Sequence, residues 1–197
     1  KVIYDVHEDL PREILSKHWI PKLFRKFIST LFEWFENISS RKFDVVITAT
    51  PYINNRFLKL GCNSVNINNY PILSELYLSD NSNIEKKRVV SYIGNITEVR
   101  GIYQIVNALE YTNVKLLLGG TFSPLNLREK LTKCAGWVKV VELGYLNRED
   151  VKKVLSVSMA GLVLFHPKPN HIKSQPNKLY EYMSAGIPVV ASSFPLW

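Results

Sequence analysis

The chain is poor in the residues that announce many protein classes. It has 2 cysteines, 4 histidines and 9 glycines in 197 residues, and 17 acidic residues against 25 basic ones. Cys62 and Cys134 are far apart and form no spaced motif. That excludes a disulfide-stapled scaffold and a cysteine zinc site, and two free thiols in a reducing compartment is the simplest reading. His166 and His171 lack a third ligand at metal spacing, so no metal is expected. No apolar run reaches the roughly 20 residues that cross a bilayer, and the first residues do not read as a signal peptide. The shortage of acid leaves a formal net charge of +8. An anionic partner follows: nucleotide phosphate, nucleic acid or an acidic membrane face. No DNA- or RNA-binding motif accompanies the charge, so nucleic acid is not expected.

What is present is an alternation of apolar strands and amphipathic helices, the pattern of parallel, doubly wound sheets. Val2 to Val6, Phe43 to Ala49 and Val65 to Ile67 read as strands. Between them a helix runs from Ile14 to Ile38 with a break at Pro21, and another from Pro51 to Leu60. The first of these carries an apolar stripe (Ile20, Leu23, Phe24, Phe27, Ile28, Leu31, Phe35, Ile38) and a basic start at Lys17, Lys22, Arg25 and Lys26, with His18, Trp19 and Trp34 nearby. Packing on the sheet is the favoured reading of that stripe, and a lipid surface the other. Leu73 to Lys87 has little periodicity and reads as an interdomain linker. Residues 1–72 then form one domain and residues 88–197 a second. In the second, Arg88 to Gly94 is a strand, Ile102 to Leu109 a helix, and Val114 to Leu118 a strand. A helix from about Pro124 to Cys134, a strand at Val138 to Val141 and a helix at Arg148 to Val157 follow, and Ala160 to Phe165 is a buried strand.

The most informative stretch is Asn170 to Phe194. Ser174 reads as an N-cap and Pro176 suits the first helical turn. Leu179, Tyr182 and Met183 give a buried stripe, Gly186 ends the helix, and Ile187 to Ala191 reads as a strand buried on both faces. A helix start is an anion site. Lys178 sits in that first turn, where the helix dipole disfavours a cation unless an anion docks there. Glu181, a turn further on, can accept hydrogen bonds from sugar hydroxyls. The plain alternative is a solvated Lys and a surface Glu. Gly94, Asn95 and Arg100 lie in a strand–Gly–loop–helix segment with a phosphate-binding layout, a weak signal alone. His7 follows the first strand, at the end where open α/β sheets bind ligands. An ordinary loop histidine beside Glu8 and Asp9 is the alternative.

Pro176-Asn177-Lys178-Leu179-Tyr180-Glu181-Tyr182-Met183, followed by Ala185-Gly186-Ile187-Pro188-Val189-Val190-Ala191, resembles the donor-binding signature of GT-B glycosyltransferases of family 4. The resemblance implies two Rossmann-like doubly wound parallel-sheet α/β domains facing across a cleft. Both are expected to be incomplete, because the chain begins and ends in or beside strands. It implies retaining transfer of a sugar from a UDP- or GDP-sugar to a glycan or lipid-linked acceptor, in cell-surface polysaccharide synthesis. A cytoplasmic location with peripheral membrane contact, and no cofactor, go with it.

By the same resemblance Glu181 holds the donor ribose and His7 lies near the reacting carbon. Gly94, Asn95, Arg100, Ser174, Asn177 and Lys178 surround the diphosphate, and Gly144 and Tyr145 lie near the base. The chain departs from the family twice: Lys173 stands where a first Glu is usual, and Asn95 where an Arg is usual. Both favour a non-catalytic nucleotide-sugar binding protein as an alternative. A GT-B epimerase and a polyanion-binding module are the others.

Overall fold

The structure, a computed structural model, describes residues 1–17, 19–78 and 85–197. His18 and the 79–84 part of the expected linker lie outside the described residues. The chain divides into two compact units. Residues 1–69, 167–175 and 194–196 form the first; residues 70–166, 176–193 and 197 form the second.

In the first unit the order is β1 (Ile3–Val6), α1 (Leu10–Ser16), α2 (Lys22–Ser40), β2 (Val45–Thr48), α3 (Pro51–Lys59) and β3 (Ser64–Asn66). The three strands pair in parallel in the order β1-β2-β3. Parallel neighbours need crossovers, and the helices supply them. Pro51 occupies the first turn of α3, and the Thr50 hydroxyl accepts from the Ile53 N–H at 3.3 Å. Val6, Val46, Ile53, Phe57 and Cys62 make a small core.

Helix α2 attaches differently from expectation. Its buried residues are Ser29, Glu36 and Ser40. Glu36 pairs with Arg56 of α3 and accepts from the Tyr4 hydroxyl at 2.8 Å. The Ser29 hydroxyl donates to the Pro11 carbonyl at 2.6 Å, and Arg12 pairs with Glu33 at 2.5 Å. Of the apolar stripe that the periodicity marked for burial, Ile20 is buried and the residues from Leu23 onward face outward instead. The reason is that the neighbouring surface is charged: Arg56 also reaches Asp9, and on α2 it is met by the Glu36 carboxylate and by the Asn37 amide oxygen, which accepts at 3.0 Å.

The second unit runs α4 (Leu73–Leu76), β4 (Val89–Ile93), α5 (Ile102–Leu109), β5 (Lys115–Gly119), α6 (Leu127–Leu131), β6 (Val140–Gly144), α7 (Arg148–Val157) and β7 (Ala160–Val163). After α8 (Pro169–Ile172), which belongs to the first unit, come α9 (Asn177–Ser184) and β8 (Val189–Ala191). All five strands are parallel, in the order β6-β5-β4-β7-β8. The order reverses at β4 and β7, and ligands of such sheets bind beyond the carboxyl ends at that switch point. One core lies under α5 and α6 (Tyr92, Ile102, Val106, Leu116, Leu127), the other under α7 and α9 (Val151, Leu155, Val163, Tyr182).

Several boundaries moved from the sequence reading. Residues 135–139 form a 3₁₀ turn and β6 starts at Val140, because Lys139 is drawn to the carbonyls of Leu109 (2.9 Å) and Thr112 (2.5 Å). The 167–175 segment groups with the first unit, where the Ser16 hydroxyl donates to Asn170 at 3.0 Å and Lys173 lies 4.4 Å from the Tyr52 ring centroid. Leu73–Leu76, read as the start of a linker, is a helical turn whose Leu76 is fully buried against α7 and α9. Leu76→Ala should therefore cost about 2–5 kcal/mol of stability in denaturant unfolding, as buried Leu truncations do. A loss under ~1 kcal/mol would place Leu76 outside the core.

Candidate functional site: a cationic cluster at the switch point of the second unit

β4 is followed directly by Gly94, whose φ of 125° excludes side-chain-bearing residues and whose N–H donates to the Gly119 carbonyl at 2.8 Å. A methyl group placed on Gly94 would stand 2.0 Å from Lys178 Nζ. The ammonium thus occupies the space that the missing side chain leaves, directly over the strand end. Gly101, with φ 69°, ends the 3₁₀ turn at Glu98–Arg100; a methyl there would stand 2.3 Å from the Leu164 carbonyl oxygen, so the β4 and β7 ends close tightly together.

Tyr92 organises the loop. It is fully buried, and its hydroxyl donates to the Asn95 carbonyl at 2.8 Å. Burial pushes its pKa up to about 12, opposed by the nearby Arg100 guanidinium. Lys178 Nζ lies 5.9 Å from the Tyr92 ring centroid, and Arg100 Cζ lies 5.3 Å from that of Phe165. Asn95 itself is exposed.

α9 begins at Asn177, with Pro176 in extended conformation (φ −74°, ψ 122°) as its N-cap. Ser174 is not the cap. Its hydroxyl donates to the His171 carbonyl at 3.0 Å, within the first unit. The helix starts two residues later than the sequence suggested because Pro176 itself takes the extended conformation of a cap. The first-turn N–H groups, which have no partner within a helix, therefore begin at Asn177 and Lys178.

Lys178 is half-buried, and burial followed by the repulsion of Arg100 pushes its pKa down to about 8, partly offset by Glu181. Among the described residues its ammonium has no carboxylate or carbonyl partner. A desolvated cation beside a second cation is costly unless an anion joins them.

Glu181, one turn along α9, is not free. It accepts from Arg148 Nη1 at 2.5 Å, and Arg148 Nε donates to Glu75 at 2.9 Å. Arg148 is the first residue of α7, capped by the Asn147 side chain, which accepts from the Asp150 N–H at 2.9 Å. Sequence reasoning missed Tyr92, Arg148 and Glu75. Arg148 did carry a signal: like Lys178, it is a cation in the first turn of a helix, where the dipole disfavours it. The Gly144 carbonyl accepts from the Gly120 N–H at 2.7 Å, and Tyr145 is 83% exposed.

The structure thus brings together Gly94, Asn95, Arg100, Lys178 and Glu181 around one strand end in the second unit, with Asn177 exposed at the helix start. His7 and Ser174 belong to the first unit. His7 follows β1 and is exposed, with Nε2 3.0 Å from Asp5 Oδ2. Chemically, the second-unit cluster is suited to an oxyanion with two or more charges: two cations, loop and helix N–H groups, and a carboxylate beyond them that can accept from hydroxyls.

This is a parallel α/β fold of the GT-B glycosyltransferase type. It resembles sucrose-phosphate synthase from Thermosynechococcus elongatus at 17% identity and a TM-score of 0.70, over 97% of this chain and 50% of that one. It also resembles S. aureus TarM, solved with fondaparinux, α-GlcNAc-glycerol and UDP, at 17% identity and a TM-score of 0.62, over 83% of this chain and 32% of that one. AviGT4, a glycosyltransferase involved in avilamycin A biosynthesis, matches at 14% identity and a TM-score of 0.61, over 77% of this chain and 47% of that one. The chain spans half or less of the length of these proteins. Among curated protein sequences none matches significantly. The family model described as Glycosyl transferases group 1 matches residues 76–196, and the chain belongs to that family.

Gly94→Ala should force φ out of its observed range and push Lys178 aside, lowering stability by about 1–3 kcal/mol in denaturant unfolding. Unchanged stability would show that the loop tolerates another conformation.

Proposed function

We propose that the second unit is the nucleotide-sugar binding part of a retaining glycosyltransferase of family 4. The enzyme moves a sugar from a UDP- or GDP-sugar to a glycan or lipid-linked acceptor in cell-surface polysaccharide synthesis. It works in the cytoplasm, with contact at the inner membrane face. The observation that carries this reading is the unpartnered Lys178 ammonium over Gly94, with Arg100 beside it.

In the proposed complex the diphosphate lies between Lys178, Arg100 and the first N–H groups of α9. Charge grows on the diphosphate as the sugar leaves, and cations already fixed in a partly desolvated site stabilise it without reorganising. Arg100 replaces a lysine of the family pattern and adds a planar fork that suits phosphate. Glu181 accepts from the ribose hydroxyls, Arg148 fixing its orientation. Gly144 and Tyr145 meet the base. His7, of the first unit, contacts the sugar or phosphate during transfer. No cofactor belongs to this proposal, since the nucleotide sugar is substrate.

A non-catalytic nucleotide-sugar binding protein is the second reading. Lys173, where the family carries a Glu that meets the donor sugar, is engaged with the Tyr52 ring in the first unit.

Calorimetric titration with UDP, GDP and their sugar conjugates distinguishes the readings. Saturable, base-selective binding is expected, and Glu181→Ala should weaken it by about 1–3 kcal/mol, the cost of an unmade charged hydrogen bond. Unchanged affinity would remove Glu181 from the site. His7→Ala should lower turnover and leave nucleotide binding intact; unaltered turnover would make His7 an ordinary loop residue, whereas saturable binding with no turnover in the unsubstituted protein would favour the second reading.

A further inference from the structure

β7 and β8 pair as far as Val163 and Ala191. Beyond that pair the ladder is continued by a side chain. The Ser192 hydroxyl accepts from the Phe165 N–H at 2.9 Å and donates to the Phe165 carbonyl at 2.8 Å. Its own N–H donates to the Val163 carbonyl at 3.1 Å. A serine hydroxyl has one donor and two acceptor lone pairs, so this single side chain locks both backbone groups of Phe165. The Trp197 ring meets the Phe165 ring edge-on, with centroids 5.4 Å apart.

The same segment is tied to the turn that carries Arg100. The His166 N–H donates to the Val99 carbonyl at 2.9 Å, and Gly101 packs directly on the Leu164 carbonyl. Val99 and Gly101 flank Arg100, while Leu164 and His166 flank Phe165. The two side chains are therefore held opposite each other, and the 5.3 Å from Arg100 Cζ to the ring centroid is within cation–π reach. Among the described residues Arg100 forms no ion pair. An unsupported guanidinium samples many rotamers, and ordering it when a ligand arrives costs affinity. A carboxylate would order it but would also neutralise its charge and occupy its N–H donors. An aromatic ring orders it and consumes neither.

We propose that Phe165 is a positioning residue for Arg100: the ring, its backbone locked by Ser192, fixes the guanidinium at the strand ends and leaves its charge and donors for an oxyanion. The purpose of this support rests on the diphosphate reading of the site; its geometry rests on the second unit alone. The plain alternative is that Phe165 only fills the core under α7 and α9, against which it packs.

The test is NMR titration of the Lys178 ammonium in the full chain, with UDP calorimetry beside it. Burial and then Arg100 hold that midpoint near 8, Glu181 opposes them, and the Tyr92 ring lies beside the ammonium. In Phe165→Leu the released guanidinium, repelled by Lys178, moves toward solvent. The Lys178 midpoint should then rise partway toward the ordinary lysine value. UDP affinity should fall roughly threefold to tenfold, the scale of one cation–π contact. Phe165→Tyr keeps the ring face and should restore both readings. Ser192→Ala keeps the ring and loosens its backbone, so both should shift in the same direction by less. In an Arg100→Gln background Phe165→Leu should no longer move the Lys178 midpoint, because the ring acts through Arg100. A core filler would lower the melting midpoint and leave Lys178 where it is. An unmoved Lys178 midpoint in Phe165→Leu would overturn the proposal. So would a shift that persists without Arg100, or an ordinary lysine midpoint in the unsubstituted chain. The expected midpoint shifts without any UDP binding would support the positioning of Arg100 and remove the diphosphate as its ligand.

Discussion

The second unit depends on one contact: the Lys178 ammonium lying in the space over Gly94 where no side chain can stand. Its position is over-determined. The strand end must be glycine for its φ, Tyr92 beneath it ties down the loop, and α9 starts at Asn177, so that Lys178 falls in the first turn. The same contact is electrostatically unfavourable in the ligand-free chain, because burial and Arg100 both act against the charge. A fold that holds a cation in such a place stores a preference for an anion. The Glu181–Arg148–Glu75 chain has a complementary role. It neutralises the carboxylate nearest the cluster and keeps it from closing onto Lys178, so the cations stay open to a ligand while Glu181 is held at fixed orientation.

Much of the fold could be read from the residues. Predominantly apolar runs such as Val89 to Ile93 and Leu116 to Leu118 mean strands covered on both faces, and these strands are parallel. The start of α3 was legible at Pro51, which suits a first helical turn where its missing N–H costs nothing. Other features had no local signal. Ser174 looked like a cap and is not one, since the extended Pro176 takes that place. Leu73–Leu76 looked like a linker because four residues are too short to show periodicity, and only the α7–α9 groove reveals why Leu76 is buried. Lys173 and the segment around it group with the first unit through Tyr52 and Ser16, contacts more than 100 residues away in sequence that no spacing predicts.

Helix α2 shows where pattern reading fails in principle. Periodicity tells which residues share a face, not which way that face points. The orientation was decided by Arg56, which needs Glu36 and Asp9, and whose demand outweighed the sheet's capacity to cover Phe27 and Trp34. Of the candidate site, Lys178, Arg100, Gly94 and Glu181 were legible because each is unusual for its local context or matches a family pattern. Tyr92 and Arg148 were not, because their work is to position those residues, and positioning depends on three-dimensional neighbours.

The most direct test of this account is the titration of Lys178 itself, followed by NMR of its side chain in the free chain and in the presence of saturating UDP. The account predicts a midpoint near pH 8 without nucleotide, moving upward when the diphosphate joins the two cations. An ordinary lysine midpoint near 10.4, unmoved by UDP, would contradict it, because Lys178 would then be a solvated surface cation and the strand end an empty turn.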